Sequence, residues 1–318
     1  MDNDILKILN KHRGEYVSGQ KICQQLNVSR MSISNSIKKL KDKGYLIETS
    51  TRKGYCLTLE NDFIDIEEIK KNLVPFYQNI DYFDSIDSTN TYMKNHVYQQ
   101  GDIIIADSQS QGRGRNGRHF HSPKQKGIYL SFLLKPDLTV YDSLKITACC
   151  AVALVKAIQK NYPLHPQIKW VNDILIDTRK VAGILCEASL EMNTAHIEQM
   201  VIGVGINVHS YTMPQDLQDI AGCLEDHIET IVPRQKIIID FLNSFYDDYT
   251  HIFDSSFLDD YRQYSCVLHK NIIVYGKDTY PAYVQAINDD ASLCIIVDGQ
   301  EKCLNSGEIS IRTIPQHT

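Results

Sequence analysis

The chain lacks any apolar run approaching the roughly 18 to 20 residues that a membrane span requires; its longest candidate, Ile146 to Val155, stops at Lys156. It opens Met-Asp-Asn-Asp, without the basic segment and apolar stretch of a secretory signal. No membrane insertion and a cytoplasmic location are the expectation. Cysteine is unpatterned: nine residues, an odd number, only Cys149 and Cys150 adjacent, and no Cys-x-x-Cys spacing. That outlines neither a disulfide framework nor a zinc site and points to reduced, mostly buried thiols. Both common nucleotide fingerprints are missing, since no G-x-x-x-x-G-K-[ST] cradle occurs and no G-x-G-x-x-G turn enters a helix.

What remains is a folded protein. With 43% hydrophobic and 23% charged residues, the composition is that of a globular chain. The 318 residues suit two or three domains. The net charge of −6 is unevenly spread: residues 1–60 hold eleven Lys/Arg against six Asp/Glu, a local +5, leaving −11 for the rest. A small basic module joined to a larger acidic body points to a polyanion as the partner of the first segment.

That module reads as three short helices and a hairpin. Ile5, Leu6, Ile8 and Leu9 give the first helix its apolar side, and Gly14 ends it. The second helix spans about residues 19–26, and Asn27-Val28-Ser29 turns the chain. Ser29 caps a third helix over about 30–43, where Ile33, Ile37 and Leu40 repeat at the spacing of a buried stripe, and Gly44 stops it. Strands at 45–49 and 54–59 flank a tip holding Arg52 and Lys53. This is the pattern of a winged helix-turn-helix that sets a basic helix into the DNA major groove. Arg30, Ser32 and Asn35 are candidates for base edges; Lys39, Lys43, Arg52 and Lys53 for phosphate, with Gly19 at the start of the second helix in the same DNA-facing set. One module binds weakly, so operator recognition calls for a dimer on a two-fold site.

Residues 63–78 read as a helical or irregular linker. The body beyond mixes strands at 102–106, 127–134, 180–186 and 198–203 with a helix over about 143–160, so its class is α+β. Its most unusual segment is Gln109 to Arg118, with three glycines and three arginines in the seven residues from Gly112. Glycine lets a backbone approach an anion, and fixed guanidinium donors pair bidentately with phosphate or carboxylate. On these residues alone an anion-binding loop and an RNA-contacting Arg/Gly segment both stay open. So many glycines predict a loop mobile when empty and ordered by ligand. Three further elements follow: Lys169-Trp170-Val171-Asn172-Asp173, where polar groups sit between apolar strands; Arg179-Lys180-Val181-Ala182-Gly183-Ile184-Leu185; and Gly203-Val204-Gly205-Ile206-Asn207, whose glycines within a strand imply close approach by another backbone or a ligand.

These elements, in this order and preceded by Asp87-Ser88-Thr89-Asn90, resemble the biotin protein ligase family, whose motifs run D-S-T-N, G-R-G-R-x-G-R, K-W-P-N-D, K-x-A-G-I-L and G-x-G-I-N. With the winged helix in front, the likeness extends over essentially the whole length to the bifunctional ligases that also repress the biotin operon. The resemblance implies that the biotin carboxylate attacks the α-phosphate of Mg²⁺-bound ATP, giving biotinyl-5′-AMP, and that a lysine of a biotin carboxyl carrier protein then takes the biotinyl group. It implies a biotin pocket of Ser88, Thr89, Asn90, Gln109, Gly112, Arg113, Arg115, Lys180, Gly183 and Gly203. Nucleotide positions are Arg113, Arg115, Arg118, Phe120, Asn172, Asn207 and Arg312. Lys180, Arg115 and Asp173 are the catalytic set, with Asp173 at the metal or the attacking amine; Mg²⁺ travels with ATP and needs no dedicated protein site. Val171 stands where the family has Pro, and Phe120 where it often has Trp over the adenine, which keeps a stacking face but loses a donor.

Five strand-like segments at 272–275, 280–287, 293–297, 301–304 and 308–312 suggest a small barrel, and the resemblance implies an SH3-like domain closed by Gly307 to Arg312. The expected division is 1–62 DNA-binding, 63–78 linker, 79–266 catalytic and 267–318 C-terminal. Biotinyl-5′-AMP is expected to order the glycine-rich loops, promote homodimerisation and act as corepressor, with carrier competing for the same surface. The alternatives are a ligase or acyltransferase for lipoate or octanoate, and a non-enzymatic ligand-sensing repressor.

Overall fold

The computed structural model describes all residues except 43–44, 59–61, 63, 192–193, 229–232, 306–309 and 314–318, and gives backbone alone at Asn3 and 310–313. The expectations at Lys43, Gly44, Leu59 and 307–309, and at the Arg312 side chain, therefore lie outside what is described. The chain divides into two units, Met1–Phe63 and Ile64–Thr318.

The first unit contains helices α1 (Asp2–Lys11), α2 (Gly19–Leu26) and α3 (Arg30–Asp42) and the hairpin β1 (Ile47–Ser50) and β2 (Gly54–Leu57). The turn between α2 and α3 is made by local chemistry. Ser18 caps α2 by accepting the Lys21 N–H at 3.2 Å, Asn27 ends it in the left-handed region, and the Ser29 hydroxyl accepts the Ser32 N–H at the start of α3. Ile5, Leu6, Leu9, Ile22, Ile33, Ile37, Leu40, Ile47 and Leu57 form one buried cluster. At about 1.5–3 kcal/mol for each such side chain fully buried, that cluster holds three short helices none of which is long enough to persist alone. Val17 exchanges both backbone hydrogen bonds with Tyr55, which fixes the wing beside the helices. Gly54, at φ +105°, is required there, because a Cβ would sit 2.1 Å from the Val17 carbonyl oxygen.

The second unit is built on a seven-stranded sheet. Its elements run α4 (Ile66–Asn72), β3 (Ile80–Phe83), α5 (Thr89–Asn95), β4 (Ile103–Ala106), β5 (Gly127–Leu134), α6 (Ser143–Asn161), β6 (Gln167–Lys169), β7 (Asp173–Ile176), β8 (Arg179–Leu190), β9 (Ile197–Asn207), α7 (Arg234–Thr250) and α8 (Phe257–Tyr264). The strand order is β3-β4-β5-β9-β8-β7-β6, antiparallel throughout except for β3 with β4. Alternation sorts the two faces. Ile103 and Ile105 join the main core with α6 and α7, while Ile104, Leu133 and Val201 join Met93 of α5 in a separate cluster. Both faces are thus covered, which is why β5 is buried along its whole length and reads as a continuous apolar run.

Arg234, the first residue of α7, is 2% exposed and donates from Nη1 to Asp107 Oδ1 and to the Gly127 carbonyl, both at 2.9 Å. Charges are tolerated at such depth only as a hydrogen-bonded pair, and removing one partner costs about 3–5 kcal/mol. The pair fastens α7 to the ends of β4 and β5.

The same unit continues into β10 (Asn271–Tyr275), β11 (Thr279–Ile287), β12 (Leu293–Val297), β13 (Gln300–Leu304) and β14 (Ser310–Thr313). These form an antiparallel sheet in the order β13-β12-β11-β10-β14. Among the described residues β13 and β14 do not pair with each other, so the five strands make an open sheet, without the closure the expected barrel has. Its β11–β12 loop reaches the main sheet, where the Ala291 carbonyl accepts the Trp170 indole N–H at 2.9 Å.

Candidate functional site

A cavity of about 610 Å³ opens over one end of the main sheet, between the start of α5, the glycine-rich loop, the glycine-bearing stretches of β8 and β9, and residues 211–221. Three chemically distinct stretches line it.

The first is a neutral hydrogen-bonding bank. The Ser88 hydroxyl caps α5, and Thr89 donates from its N–H to Gln109 Oε1 at 2.8 Å. Gln109 in turn donates to Ser122 Oγ at 3.0 Å. Ser131, fully buried on β5, donates to Asn90 Oδ1 at 2.6 Å and lies 2.7 Å from Thr89 Oγ1. Gly203 is required beneath Asn90, since a Cβ would lie 2.0 Å from Asn90 Oδ1. Donors and acceptors held in fixed positions at a cavity wall suit a small neutral polar group with both functions.

The second stretch is cationic. Lys180 Nζ donates to Asp173 Oδ1 at 2.5 Å. Gly183, the register partner of Asp173, leaves room for this, because a Cβ there would stand 2.8 Å from Lys180 Cε and Nζ. Arg115 donates from Nη1 to Asn172 Oδ1 at 3.1 Å, and Asn172 is itself fixed by donating to the Ile184 carbonyl at 2.8 Å. Burial lowers the Arg115 pKa against the opposing pull of Asp173, yet guanidinium stays charged. Two half-buried cations, each oriented by a neighbour, form a preorganised field for an anion. The Trp170–Val171 peptide is cis.

The third stretch is aromatic and lies beside the second. The Phe120 ring lies over Gly205, where a Cβ would approach within 2.6 Å of ring atoms, and it meets Tyr129 edge-on at 6.4 Å. His121 faces Tyr211 at 5.8 Å between ring centres. Burial, then Cys223 and Asp226, pushes the Tyr211 hydroxyl up to about 12. Asn207 donates to the Gly222 carbonyl at 3.1 Å, tying β9 to the end of residues 211–221.

The glycine-rich loop is a tight hairpin. Gly114 N–H donates to Arg118 O, Phe120 N–H donates to Gly112 O, and Asn116 and Gly117 take positive φ at its tip. Ser88, Thr89, Asn90, Gln109, Arg113, Arg115, Arg118, Phe120, Asn172, Asp173, Lys180, Gly183, Gly203 and Asn207 all line the cavity. Gly112 does not. It is buried within the hairpin, where a Cβ would lie 2.3 Å from the Phe120 carbonyl oxygen, so its part is to let the loop close on itself.

Sequence reasoning misses three features. Glu187 on β8 accepts from Asn90 at 3.0 Å and Lys94 at 2.8 Å and pairs with Arg113 at 3.4 Å. Burial works to raise its pKa, but Lys94, Asn90 and Arg113 hold it below the ordinary range. Ser131 is hidden in an apolar strand. Tyr211, Met213, Leu217 and Ile220 line the cavity from a segment without periodicity, which no sequence signal marks. Among the described residues no cluster of three or more His, Cys, Asp or Glu is placed to hold a metal, and no helix is long and apolar enough to cross a membrane.

In the first unit, Arg30, Asn35, Lys39, Arg52 and Lys53 are exposed. Lys41 donates to Thr49 Oγ1 at 2.9 Å, joining α3 to the wing, and Lys53 sits over the Tyr16 ring. Ser32 is half-buried, engaged with Ser29 at the start of α3, and Gly19 lies half-buried beside the Tyr55 ring.

Residues 82–207 match the biotin/lipoate A/B protein ligase family, and residues 2–56 match an HTH domain. The bifunctional ligase/repressor BirA of Bacillus subtilis is 33% identical over 261 residues, covering 79% of this chain and 80% of that protein. The BirA of Escherichia coli is 32% identical over 197 residues, covering 61% of this chain and 60% of its own. Among solved structures, the biotin protein ligase of Aquifex aeolicus in complex with biotin and ATP superposes with a TM-score of 0.67 at 23% identity, covering 75% of this chain and all of that one.

Proposed function

The chain belongs to the family of bifunctional biotin ligase/repressors, and from that premise we propose how its two units divide the work. It is an ATP-dependent biotin–protein ligase that also represses transcription with its reaction intermediate as corepressor. In the first step a biotin carboxylate oxygen bonds to the α-phosphorus of Mg²⁺-ATP and pyrophosphate leaves, giving biotinyl-5′-AMP. In the second, a carrier lysine amine adds to the acyl carbon, loses a proton, and AMP departs.

The observation that carries this reading is that one cavity gathers a neutral hydrogen-bonding bank, two oriented cations and an aromatic ring. That set suits a molecule that carries a ureido ring, a carboxylate and an adenine. Ser88, Thr89, Asn90, Gln109 and Gly203 take the ureido ring, with Arg113 and Gly183 completing that wall. Arg115 and Lys180 neutralise the carboxylate and α-phosphate as negative charge moves between them, a contribution of position and field rather than of a protein nucleophile. Asp173 aims Lys180 and then faces the incoming amine. Arg118, Phe120, Asn172, Asn207 and Arg312 hold the nucleotide, and Mg²⁺ arrives on the triphosphate.

The first unit binds operator DNA through α3 and the wing, as a homodimer that biotinyl-5′-AMP promotes; carrier protein competes with dimerisation. We further assign residues 1–62 to DNA binding, 63–78 to a linker, 79–266 to catalysis and 267–318 to a C-terminal domain of SH3-like descent, its strands in the open arrangement seen here. A cytoplasmic setting belongs to the same reading, because ATP is the substrate. Incubation with biotin, Mg²⁺-ATP and a carrier domain, followed by mass spectrometry, tests it: one biotinyl group on one carrier lysine is expected. Failure to release pyrophosphate from ATP and biotin overturns the enzymatic reading, and preference for lipoate in competition overturns the substrate.

A further inference from the structure

We propose that Cys294 and Cys303 form a dithiol site that a low-molecular-weight disulfide, such as oxidised glutathione, converts into a cross-strand disulfide, and that the adjoining loop transmits the change to Trp170. The two cysteines are register partners on β12 and β13. The strands join through Asp298-Gly299, both at positive φ (50° and 78°), the signature of a two-residue turn closed by the hydrogen-bonded pair Val297 and Gln300. Paired positions alternate along an antiparallel ladder, so Cys294 and Cys303, three pairs from the turn, fall at a non-hydrogen-bonded position. There Cα atoms stand about 4.5 Å apart and opposed side chains share one face. Disulfides bridge Cα separations of about 4.4–6.8 Å.

Accessibility separates the roles. Of the nine cysteines only Cys303 is exposed; Cys294 is buried. Burial, then the Glu301 hydrogen bond, pushes the Cys294 thiol up to about 11, so the exposed Cys303 attacks first and Cys294 closes the bond in a slower second step. The Cys303 thiolate attacks one sulfur of oxidised glutathione and expels the first glutathione thiolate. The Cys294 thiol then gives up its proton to solvent, attacks the Cys303 sulfur of the mixed disulfide and expels the second glutathione as its thiolate, which takes a proton from solvent. Two protein thiols are oxidised and one small disulfide is reduced to two thiols.

The path to Trp170 is short. Asn288 donates from Nδ2 to Cys303 Sγ at 3.6 Å and to Ser292 Oγ at 3.0 Å, and its backbone closes the turn through the Ala291 and Ser292 hydrogen bonds. Ala291 carries the carbonyl that accepts the Trp170 indole. Turning Cys303 toward Cys294 withdraws the acceptor from Asn288 and loads this turn. As the chain has one tryptophan, its emission reports that residue alone.

The test is oxidation of the full chain with oxidised glutathione, read by non-reducing peptide mapping and by tryptophan emission before and after a thiol reductant. A linked 294–303 peptide with a reversible emission shift is expected, both absent in Cys303→Ser, whose side chain is exposed. In Cys294→Ser, glutathione should remain on Cys303. Persistence of glutathione on Cys303 in the wild-type chain, or linkage to a different cysteine, overturns the site. A linked peptide with unchanged emission overturns the transmission. Neither readout requires biotin or ATP, so the ligase reading stands or falls separately.

Discussion

The surface proposed to face DNA and the cavity both present cations, and the proposed roles use them in opposite ways. Arg30, Lys39, Arg52 and Lys53 stand in solvent, whereas Arg115 and Lys180 are half-buried and oriented by neighbours, Asn172 and Asp173. An exposed cation is screened within about 8–10 Å at physiological salt and acts by displacing counterions from a polyanion. A half-buried, aimed cation is screened far less and acts on one bond. The same charge therefore gives many small, interchangeable contributions in one unit and a few large, irreplaceable ones in the other.

The largest effect should follow from Lys180→Ala. It removes one of the two cations proposed for the carboxylate–phosphate junction and deprives Asp173 of its ion-pair partner. Adenylation, followed as pyrophosphate release, is expected to fall about 10²- to 10³-fold, the size of effect that deleting one aimed donor to a developing charge produces. A fall below tenfold would place Lys180 with the solvated surface cations and erase the distinction.

Glu187→Gln sharpens the comparison at intermediate size, because it removes a charge that orients cations. Its carboxylate holds Lys94 and Arg113, so the variant should be destabilised by about 1–3 kcal/mol at neutral pH. The sign with pH is fixed by the lowered pKa. A carboxylate held below its ordinary value of 4.5 contributes in full above that value and loses its contribution as pH falls through the folded-state value. Denaturation of both proteins should accordingly show a gap at pH 7 that narrows on acidification below the ordinary glutamate range. A gap that widens there would mean that burial, which opposes the ionised form, outweighs the cations.

Legibility in the sequence follows the same division. Local chemistry decides the first unit: Ser18, Asn27 and Ser29 cap and turn, and the expected bounds of α2 and the start of α3 match those observed. The cavity is legible where its residues cluster in sequence, as in the glycine-rich loop and the stretch around Lys180. It is hidden where partners come from distant strands. Ser131 sits in an apolar run that reads as core, and Glu187 looks like an outward charge on a strand, yet the fold brings them to Asn90 from 41 and 97 residues away. Gly112 enters the expected pocket through the family resemblance. What approaches it is the loop's own Phe120 carbonyl. The open C-terminal sheet is unreadable for a related reason: strand periodicity locates strands but says nothing about which edges meet.

The smallest effect, and the one that separates the two uses of charge most directly, should come from Lys39→Ala. Lys39 is exposed on α3, away from the buried stripe, so stability should shift by no more than about 0.5 kcal/mol. Operator affinity, measured by titration across salt concentrations, should fall several-fold at low salt, and the slope of log affinity against log salt should shrink by about 1.8, twice the value of about 0.9 for one phosphate, because a homodimer carries Lys39 twice. At high salt wild type and variant should converge, because the released counterions no longer carry a free-energy advantage. Adenylation by wild-type protein in the same salt series should barely change if, as proposed, Arg115 and Lys180 meet their anions inside the cavity. If operator affinity proved independent of salt while adenylation depended on it, the aimed cations would be those of α3 and the solvated ones those of the cavity, and the assignment of the two units would have to be exchanged.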